Sequence, residues 1–482
     1  MSTDGLKTTR RAFVAGAATG LAVPAGPTQA AQPSLAQSLA AATVASRDRP
    51  VPSEVLDRTV WSVIDCLGAM IFAAGTPEVG PFMTLVGSRR GKPRARVLGA
   101  GVTAAVEYAA AGGAFLIHAN EMDDGDMRSQ LRASSVIMST ALAMADALDQ
   151  SGPAFLRSAA LGYTLQGRLA APQGPTQGRG WMTSGVWGPP AAGAMAADAM
   201  GLGADQITSA IALAASASGG SFQYFHDQTE EKRLVVARAA RSAVEAALLA
   251  RSGEIGARHI LEGPAGLYRL FGGKDGMPPT VEALTGDLWR LEGPLFIHPK
   301  YFAASQSIIP SLDGIAADLP DLRAAEIETF TVRGDASWAP VLADKIDRFA
   351  PPATRIGAMM NFSYVLGLVL VRGTAMPGDY ADLPDAAAVV LARKGRFQLD
   401  PEAAVLRIDF TMKDGRVLSS LARYPGPQDI APLEASRRIA KFNALTSRIE
   451  EKRRVALLEA CRALPGESSM RRWIGRVQSL TG

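Results

Sequence analysis

Cysteine and histidine are scarce in this sequence, with two and four residues among 482. Cys66 and Cys461 are too few for an iron–sulfur cluster of the usual thiolate count or for a Cys-rich zinc site. His118, His226, His259 and His298 show none of the spacings that place metal ligands on one helix face. No metal is therefore expected. Gly112-Gly113, Gly219-Gly220 and Gly272-Gly273 sit in neither a strand–GxGxxG–helix unit nor a Walker loop. No organic cofactor is expected either, so any chemistry has to come from side chains.

Aromatic residues are also few, 6% against 48% hydrophobic overall. Ala, Leu, Val and Ile carry the apolar content, which points to closely packed helices rather than a β-sandwich. Past residue 31, uninterrupted apolar runs fall short of the ~20 residues needed to cross a bilayer, so no membrane span is expected. Excess charge is small: half of the formal +4 lies in the first residues, as Lys7, Arg10 and Arg11 against Asp4. The remainder gives no reason to expect a nucleic-acid partner.

What is present begins with an export leader. Thr8-Thr9-Arg10-Arg11-Ala12-Phe13-Val14 opens a short apolar stretch that Pro24 breaks, and Thr28-Gln29-Ala30-Ala31 closes it. Paired arginines, a short apolar segment and small residues at the end describe a twin-arginine signal over residues 1–31. The expected partner of the precursor is the bacterial twin-arginine export machinery, and the expected location is the periplasm or otherwise outside the cytoplasm.

About 450 residues follow, enough for two or three domains. After a polar, loose stretch to about Pro52, Leu56, Val60, Val63, Leu67 and Ile71 recur at helical spacing from a Ser53 N-cap to Gly75. Ala191–Met200, Asp205–Ser218 and Ala237–Arg251 are further helical runs, each stopped by glycine. Around residue 290 the texture changes. Ile327–Arg333 is β-branched, and Leu406, Ile408, Phe410 and Met412 alternate up to an Asp414-Gly415 turn and Val417–Ala422. Ile356–Arg372 between them reads as helix. From Pro432 onward Ile439, Phe442, Leu445 and Ile449 mark one helical face. The expected fold is mainly α with a smaller α+β domain. Residues 45–285 and 432–482, from both parts of the chain, would form the helical domain, and 290–431 the inserted α+β domain.

Several segments in order resemble the MmgE/PrpD family, which includes 2-methylcitrate dehydratases, cis-aconitate decarboxylases and iminodisuccinate epimerases. They are His118–Asp124, Gly162-Tyr163, Gly180-Trp181, Asp205–Ala210, Lys232–Leu234 with Ala239-Ala240, Ile260–Gly263, Lys300-Tyr301 ahead of Asp313, and Lys441-Phe442. The resemblance spans roughly residues 50 to 475. It implies a helical domain plus a smaller α+β domain, a homodimer, and lyase or isomerase chemistry on small carboxylic acids. The sequence departs from the family where that chemistry sits. Gly125 replaces a threonine, Arg132-Ala133 falls at the family's His-Pro, and Met182, Val235 and Ser305 stand for two histidines and a cysteine.

Taking a proton from carbon beside a carboxylate requires a base, a cation for the carboxylate and a donor for the developing charge. Lys232, Lys300 and Glu121 are the expected catalytic residues, since lysine becomes a neutral base on burial and a carboxylate serves as acid or base. Arg132 is never a base, but its fork suits a carboxylate; it is expected to bind substrate with Asp124 and Tyr301. Without the family, Lys232-Arg233 after Glu230-Glu231 reads as solvated helix-start charge, and His118 as a hydrogen-bonded core imidazole. Trp181 and Trp187 are expected to make the pocket apolar, and the cysteines to be separate buried thiols. The expected function is a cofactor-independent lyase acting on a small di- or tricarboxylic acid by dehydration or decarboxylation. The alternatives are an epimerase or isomerase, or an exported non-catalytic binding protein.

Replacing Arg10 and Arg11 with lysine is expected to strand the precursor in the cytoplasm with its leader uncleaved. Fractionation and N-terminal sequencing measure this, and unchanged export would remove the twin-arginine assignment.

Overall fold

Alanine-rich segments with regularly placed Leu, Ile and Val favour helix, and where small residues face one another the helices approach closely. The computed structural model describes residues 32–174, 176–272, 276–289, 293–424 and 433–481, and residues 34–482 cluster together. Among the described residues there are twenty α-helices and only short strands, so the fold is mainly α with a smaller α+β part. The leader at 1–31 and the expected boundaries at 290 and 431–432 lie outside the described residues. Among the described residues, no single helix is long and apolar enough to cross a membrane.

The helix expected from Ser53 runs Ser53–Ala74 and stops at Gly75, with Pro52 rather than Ser53 at the N-cap. Every residue from Arg58 to Ile71 is buried, so the helix is enclosed on all sides rather than on one face. The stretch before it is not loose. Leu35–Ala45 is a helix whose Ser34 side chain accepts from Gln37 N, while Gln37 Oε1 accepts from Ser34 N.

Val106–His118, Ala133–Leu148, Gly152–Ala170, Thr183–Ala199 and Lys232–Arg251 pack successively on one another as the centre of the helical body. Thr183–Ala199 starts well before Ala191 and carries Pro189 and Pro190 inside it, where proline normally ends a helix. The C-terminal helices Ala435–Leu445 and Glu451–Arg462 return to pack on Ser53–Ala74, so early and late sequence share this body. Cys66 and Cys461 are both buried and free. Burial pushes both thiols up, Cys461 to about 12.

The α+β part is built on a four-stranded sheet in the order 395–399, 327–334, 407–412, 417–421. Ile327–Gly334 runs parallel to Gly395–Leu399 and antiparallel to Arg407–Met412, pairing Val332 with both Phe397 and Ile408. The expected turn is present: Gly415 has φ +86°, which glycine adopts without strain, and Met412 N donates to Arg416 O at 2.8 Å. Helix Ala339–Asp347 packs on strand Gly395–Leu399, and Ile309–Asp318 on Val417–Leu421. Ile356–Arg372 is not one helix. It divides into Arg355–Met359 and Phe362–Arg372 because the Asn361 side chain caps the second, accepting from Tyr364 N at 3.0 Å.

One small element positions the site. Gly125–Asp126 pairs antiparallel with Ile297–His298, in the register Gly125 to His298 and Asp126 to Ile297. This ties the loop after helix Val106–His118 to the segment that carries Lys300.

Close packing makes glycine obligatory at some contacts. A Cβ on Gly162 would lie 2.6 Å from Ile137 Cγ2 and 2.5 Å from Met195 Sδ. Gly162→Ala is therefore expected to destabilise the fold by about 1–3 kcal/mol despite its gain in helix propensity. The midpoint of urea unfolding measures this; an unchanged midpoint would mean that the three helices can separate freely.

Candidate active site

Glu121 sits in the loop that leaves helix Val106–His118, at φ +54°, a conformation that side-chain-bearing residues seldom adopt. The loop is held from both ends of its polar groups. Lys300 Nζ donates to Glu121 Oε2 at 2.9 Å, to the Glu121 carbonyl at 3.0 Å and to the Ala304 carbonyl at 2.9 Å. Lys232 Nζ donates to Glu121 Oε1. All three side chains are buried. One buried carboxylate is thus clamped between two ammonium groups that sequence separates by 68 residues.

The two lysines are not equivalent. An ammonium has three protons to donate, and Lys300 gives its three to three acceptors, which leaves none for a ligand. Lys232 begins helix Lys232–Arg251 and lines a cleft of about 420 Å³ together with Glu121, His118 and Arg132. Burial, then the charges of Lys300 and Arg233, pull Lys232 well below the ordinary lysine range. A cation at a helix N-terminus is unfavourable in the same sense. Lys300 is lowered too, first by burial and then by Arg132. Asp123 and Asp124 act in the other direction on Lys300.

Arg132 stands between the loop and helix Ala133–Leu148, its N–H donating to Ser184 Oγ at 2.7 Å. Its guanidinium is almost fully buried, yet Nη1 has no hydrogen-bond partner. Nη1 lies toward Gly125, 3.1 Å from where a Cβ on that residue would stand, while Arg132 as a whole lines the cleft, where a guanidinium suits a carboxylate. Gly125, where the family carries threonine, has its own cause: a Cβ there would press on the Leu131 carbonyl and lie 2.6 Å from Gln306 Oε1.

His118 is buried, as a core imidazole would be, but it also lines the cleft. Its Nδ1 lies 2.8 Å from Asp123 Oδ2, and Nε2, without a partner, lies 3.8 Å from Glu121 Oε1. The carboxylate on Nδ1 assigns the proton to that nitrogen and leaves the Nε2 lone pair toward Glu121. Burial brings His118 down to about 4 against the opposing pull of Asp123. Burial by itself would raise Asp123; His118, Lys300 and Arg132 outweigh it and hold the carboxyl at about 2.

The remaining expected residues point elsewhere. Asp124 turns into the core, among Asp65, Ser134 and Lys441, where burial and the charge of Asp65 raise it to about 7. Tyr301 lies under the Arg437 guanidinium, 3.7 Å from its ring centre, and lines a different cavity on the far side of Lys300. Lys232 and Arg233 are both buried rather than solvated. Neither tryptophan expected near Met182 reaches the cleft. Trp187 packs on Tyr268 in the core and Trp181 edges Phe271, while Met182, Phe222, Phe225 and Trp338 supply the apolar wall. His118 and its partner Asp123 were missed as a pair because four loop residues separate them. The one signal was that both lie in the same short acidic motif.

Ligand atoms of His118, Glu121 and Asp123 lie within 4.8 Å of one another. Both Glu121 oxygens already face ammonium groups, and Arg132 adds a third positive charge. A divalent cation would there meet three positive charges, with Glu121 already committed to two of them.

Residues 37–280 match the MmgE/PrpD N-terminal domain. The chain is also 26% identical over 353 residues to the cis-aconitate decarboxylase-like protein oryM of Aspergillus oryzae, an alignment covering 68% of this chain and 71% of that protein.

A histidine held neutral in the folded state at about 4, against 6.5 when exposed, gives stability that is complete above pH 6.5 and is lost on acidification toward 4. In that window the unfolded chain binds a proton the folded chain does not. Between pH 6.5 and 4, the stability of wild type is therefore expected to fall relative to His118→Gln by about 1.4 kcal/mol per pH unit. Urea titrations at several pH values measure the difference; parallel profiles would show that His118 charges freely in the folded protein.

Proposed function

Because this chain belongs to the MmgE/PrpD family, we propose that it is a cofactor-independent lyase that removes water or carbon dioxide from a small carboxylic acid. Family membership and the similarity to a cis-aconitate decarboxylase-like protein support a lyase of this general kind. The observation that carries the reading is the Glu121 carboxylate, clamped by Lys232 and Lys300, in a cleft that Lys232, His118 and Arg132 also line.

In this reading Arg132 takes the substrate carboxylate on its guanidinium and stabilises the negative charge that spreads into it when the neighbouring carbon is deprotonated or loses carbon dioxide. Two groups move protons. His118, with its Nε2 lone pair free and Asp123 ready to stabilise an imidazolium, accepts the proton from carbon. Lys232, protonated against Glu121 and lowered by burial, gives one up to a leaving hydroxyl or, after decarboxylation, to the carbanion. Lys300 holds Glu121 in place and does not touch substrate. An imidazole thus serves in a chain whose family histidine positions read Arg132, Met182 and Val235.

Incubation with hydroxy acids and unsaturated acids in D₂O is expected to give an unsaturated acid by loss of water, or a decarboxylated product carrying one solvent deuterium at the carbon protonated after carbon dioxide leaves. Exchange without net product would mark an epimerase instead, and neither would leave a binding protein. Lys232→Ala and His118→Gln are each expected to lower kcat about 10²–10⁴-fold. Arg132→Lys is expected mainly to raise KM, keeping the charge but losing the fork. Wild-type kcat in Lys232→Ala would remove lysine from the chemistry.

A further inference from the structure

Deprotonating or decarboxylating a small acid leaves charge that a hydrogen-bond donor has to meet. Tyr301, the phenol that sequence offers for this, lines another cavity. A different phenol stands in the cleft: Tyr224 lines it with Arg132, Lys232, Glu121 and His118. It lies on the short helix Gln223–Asp227, just ahead of the helix that Lys232 opens.

So short a helix does not hold itself, and contacts from both parts of the molecule fix it. On the helical side, Met182 N donates to the Gly220 carbonyl and Phe222 N to the Gly180 carbonyl, each at 2.9 Å, where Trp181 pairs antiparallel with Ser221. On the α+β side, Lys345 from helix Ala339–Asp347 sets its ammonium 3.2 Å from the centre of the Phe225 ring. Phe222 stacks on the same ring with centres 5.0 Å apart and meets Tyr224 edge-on at 5.2 Å. The Lys232 ammonium lies 6.0 Å from the centre of the Tyr224 ring. Tyr224 is therefore held between the residues on either side of it in sequence.

Its hydroxyl is what the fold leaves unused. The buried tyrosines Tyr163, Tyr268 and Tyr364 bond to Ser134, the Leu169 carbonyl and Asp385 N. Among the described residues, Tyr224 Oη has no such partner, although the side chain is 4% exposed. Tyr301, Tyr380 and Tyr424 also lack one, but none of them lines this cleft. A buried phenol normally finds a partner. Burial raises Tyr224 above the ordinary tyrosine range, with Arg132 pulling the other way. The phenol thus stays protonated and can donate beside the guanidinium.

Building on the lyase reading above, we infer that Tyr224 Oη donates a hydrogen bond to the substrate carboxylate that Arg132 holds and to the charge that develops there. Tyr224 keeps its proton throughout, and His118 and Lys232 carry out the transfers. The bond strengthens as charge accumulates, so its loss falls on kcat more than on KM, the reverse of Arg132→Lys.

Tyr224→Phe, which keeps the ring and its contact with Phe222, tests this beside Tyr301→Phe, with circular dichroism confirming both folds. Calorimetric titration of the full chain uses succinate and propane-1,2,3-tricarboxylate, and turnover of citrate and cis-aconitate is followed by NMR. Tyr224→Phe is expected to weaken binding about tenfold and to lower kcat about 10²-fold with KM changed only a few-fold. Tyr301→Phe is expected to match wild type in both. Wild type should also show a shifted tyrosine absorbance band on adding the tricarboxylate, which Tyr224→Phe lacks. Equal binding by wild type and Tyr224→Phe, binding lost in Tyr301→Phe instead, or no binding of either acid by wild type would overturn the inference. Turnover indifferent to Tyr224 removes the donor and leaves the lyase standing. Binding that depends on Tyr224 without turnover of either acid keeps the contact and counts against the lyase.

Discussion

Everything at the centre of this molecule depends on a buried carboxylate that has exchanged water for two ammonium groups. Desolvating one charge costs several kcal/mol, and only close, well-bonded partners offset that. Glu121 has them, and they arrive from different places: Lys232 from the start of a central helix, Lys300 from the segment paired with Gly125–Asp126. Satisfying one side chain therefore requires the loop, the helix and the α+β part to take up a single arrangement. The left-handed backbone at Glu121 persists because Lys300 binds its carbonyl as well as its carboxylate.

The same loop is held from behind. Lys441, on the C-terminal helix Ala435–Leu445, donates to the Met122 carbonyl at 2.7 Å and pairs with Asp65 at 2.6 Å on helix Ser53–Ala74. Consecutive residues thus face opposite ways. Glu121 and Asp123 serve the cleft, while Met122 and Asp124 serve the core. The division explains why two adjacent aspartates differ so much, one held at about 2 by the cations of the cleft and the other raised to about 7 beside Asp65. Proton chemistry in such a cleft follows from burial more than from residue type. Lys300, fully bonded, is a fixed charge, and Lys232, with donors to spare, is a mobile one.

Much of the fold was legible because its causes are local. The periodicity from Leu56 to Ile71, the glycine stops and the Asp414-Gly415 turn each act within a few residues, and the structure follows them. Failures came where a local signal was weak or a distant one overrode it. The Ser34 capping box opened a helix in a stretch that composition marked as loose, and Asn361 cut a continuous apolar run in two. The apolar wall was expected from Trp181 and Trp187 by adjacency to Met182. It comes instead from Phe222, Phe225 and Trp338, which chain distance hides.

By itself the sequence determined the helical character, the approximate limits of the longer helices, the α+β segment and the identities of Glu121, Lys232, Lys300 and Arg132 as charges needing partners. Burial, pairing and protonation belong to the tertiary structure. Lys232 beside Glu230 and Glu231 is indistinguishable from surface charge until packing removes water from it and sets Glu121 against it. His118 keeps a lone pair on Nε2, turned toward Glu121, only when Asp123 closes on Nδ1. The physical reason is that a charge's energy depends on what surrounds it within a few ångströms, and for Glu121 those surroundings come from lysines 111 and 179 positions away.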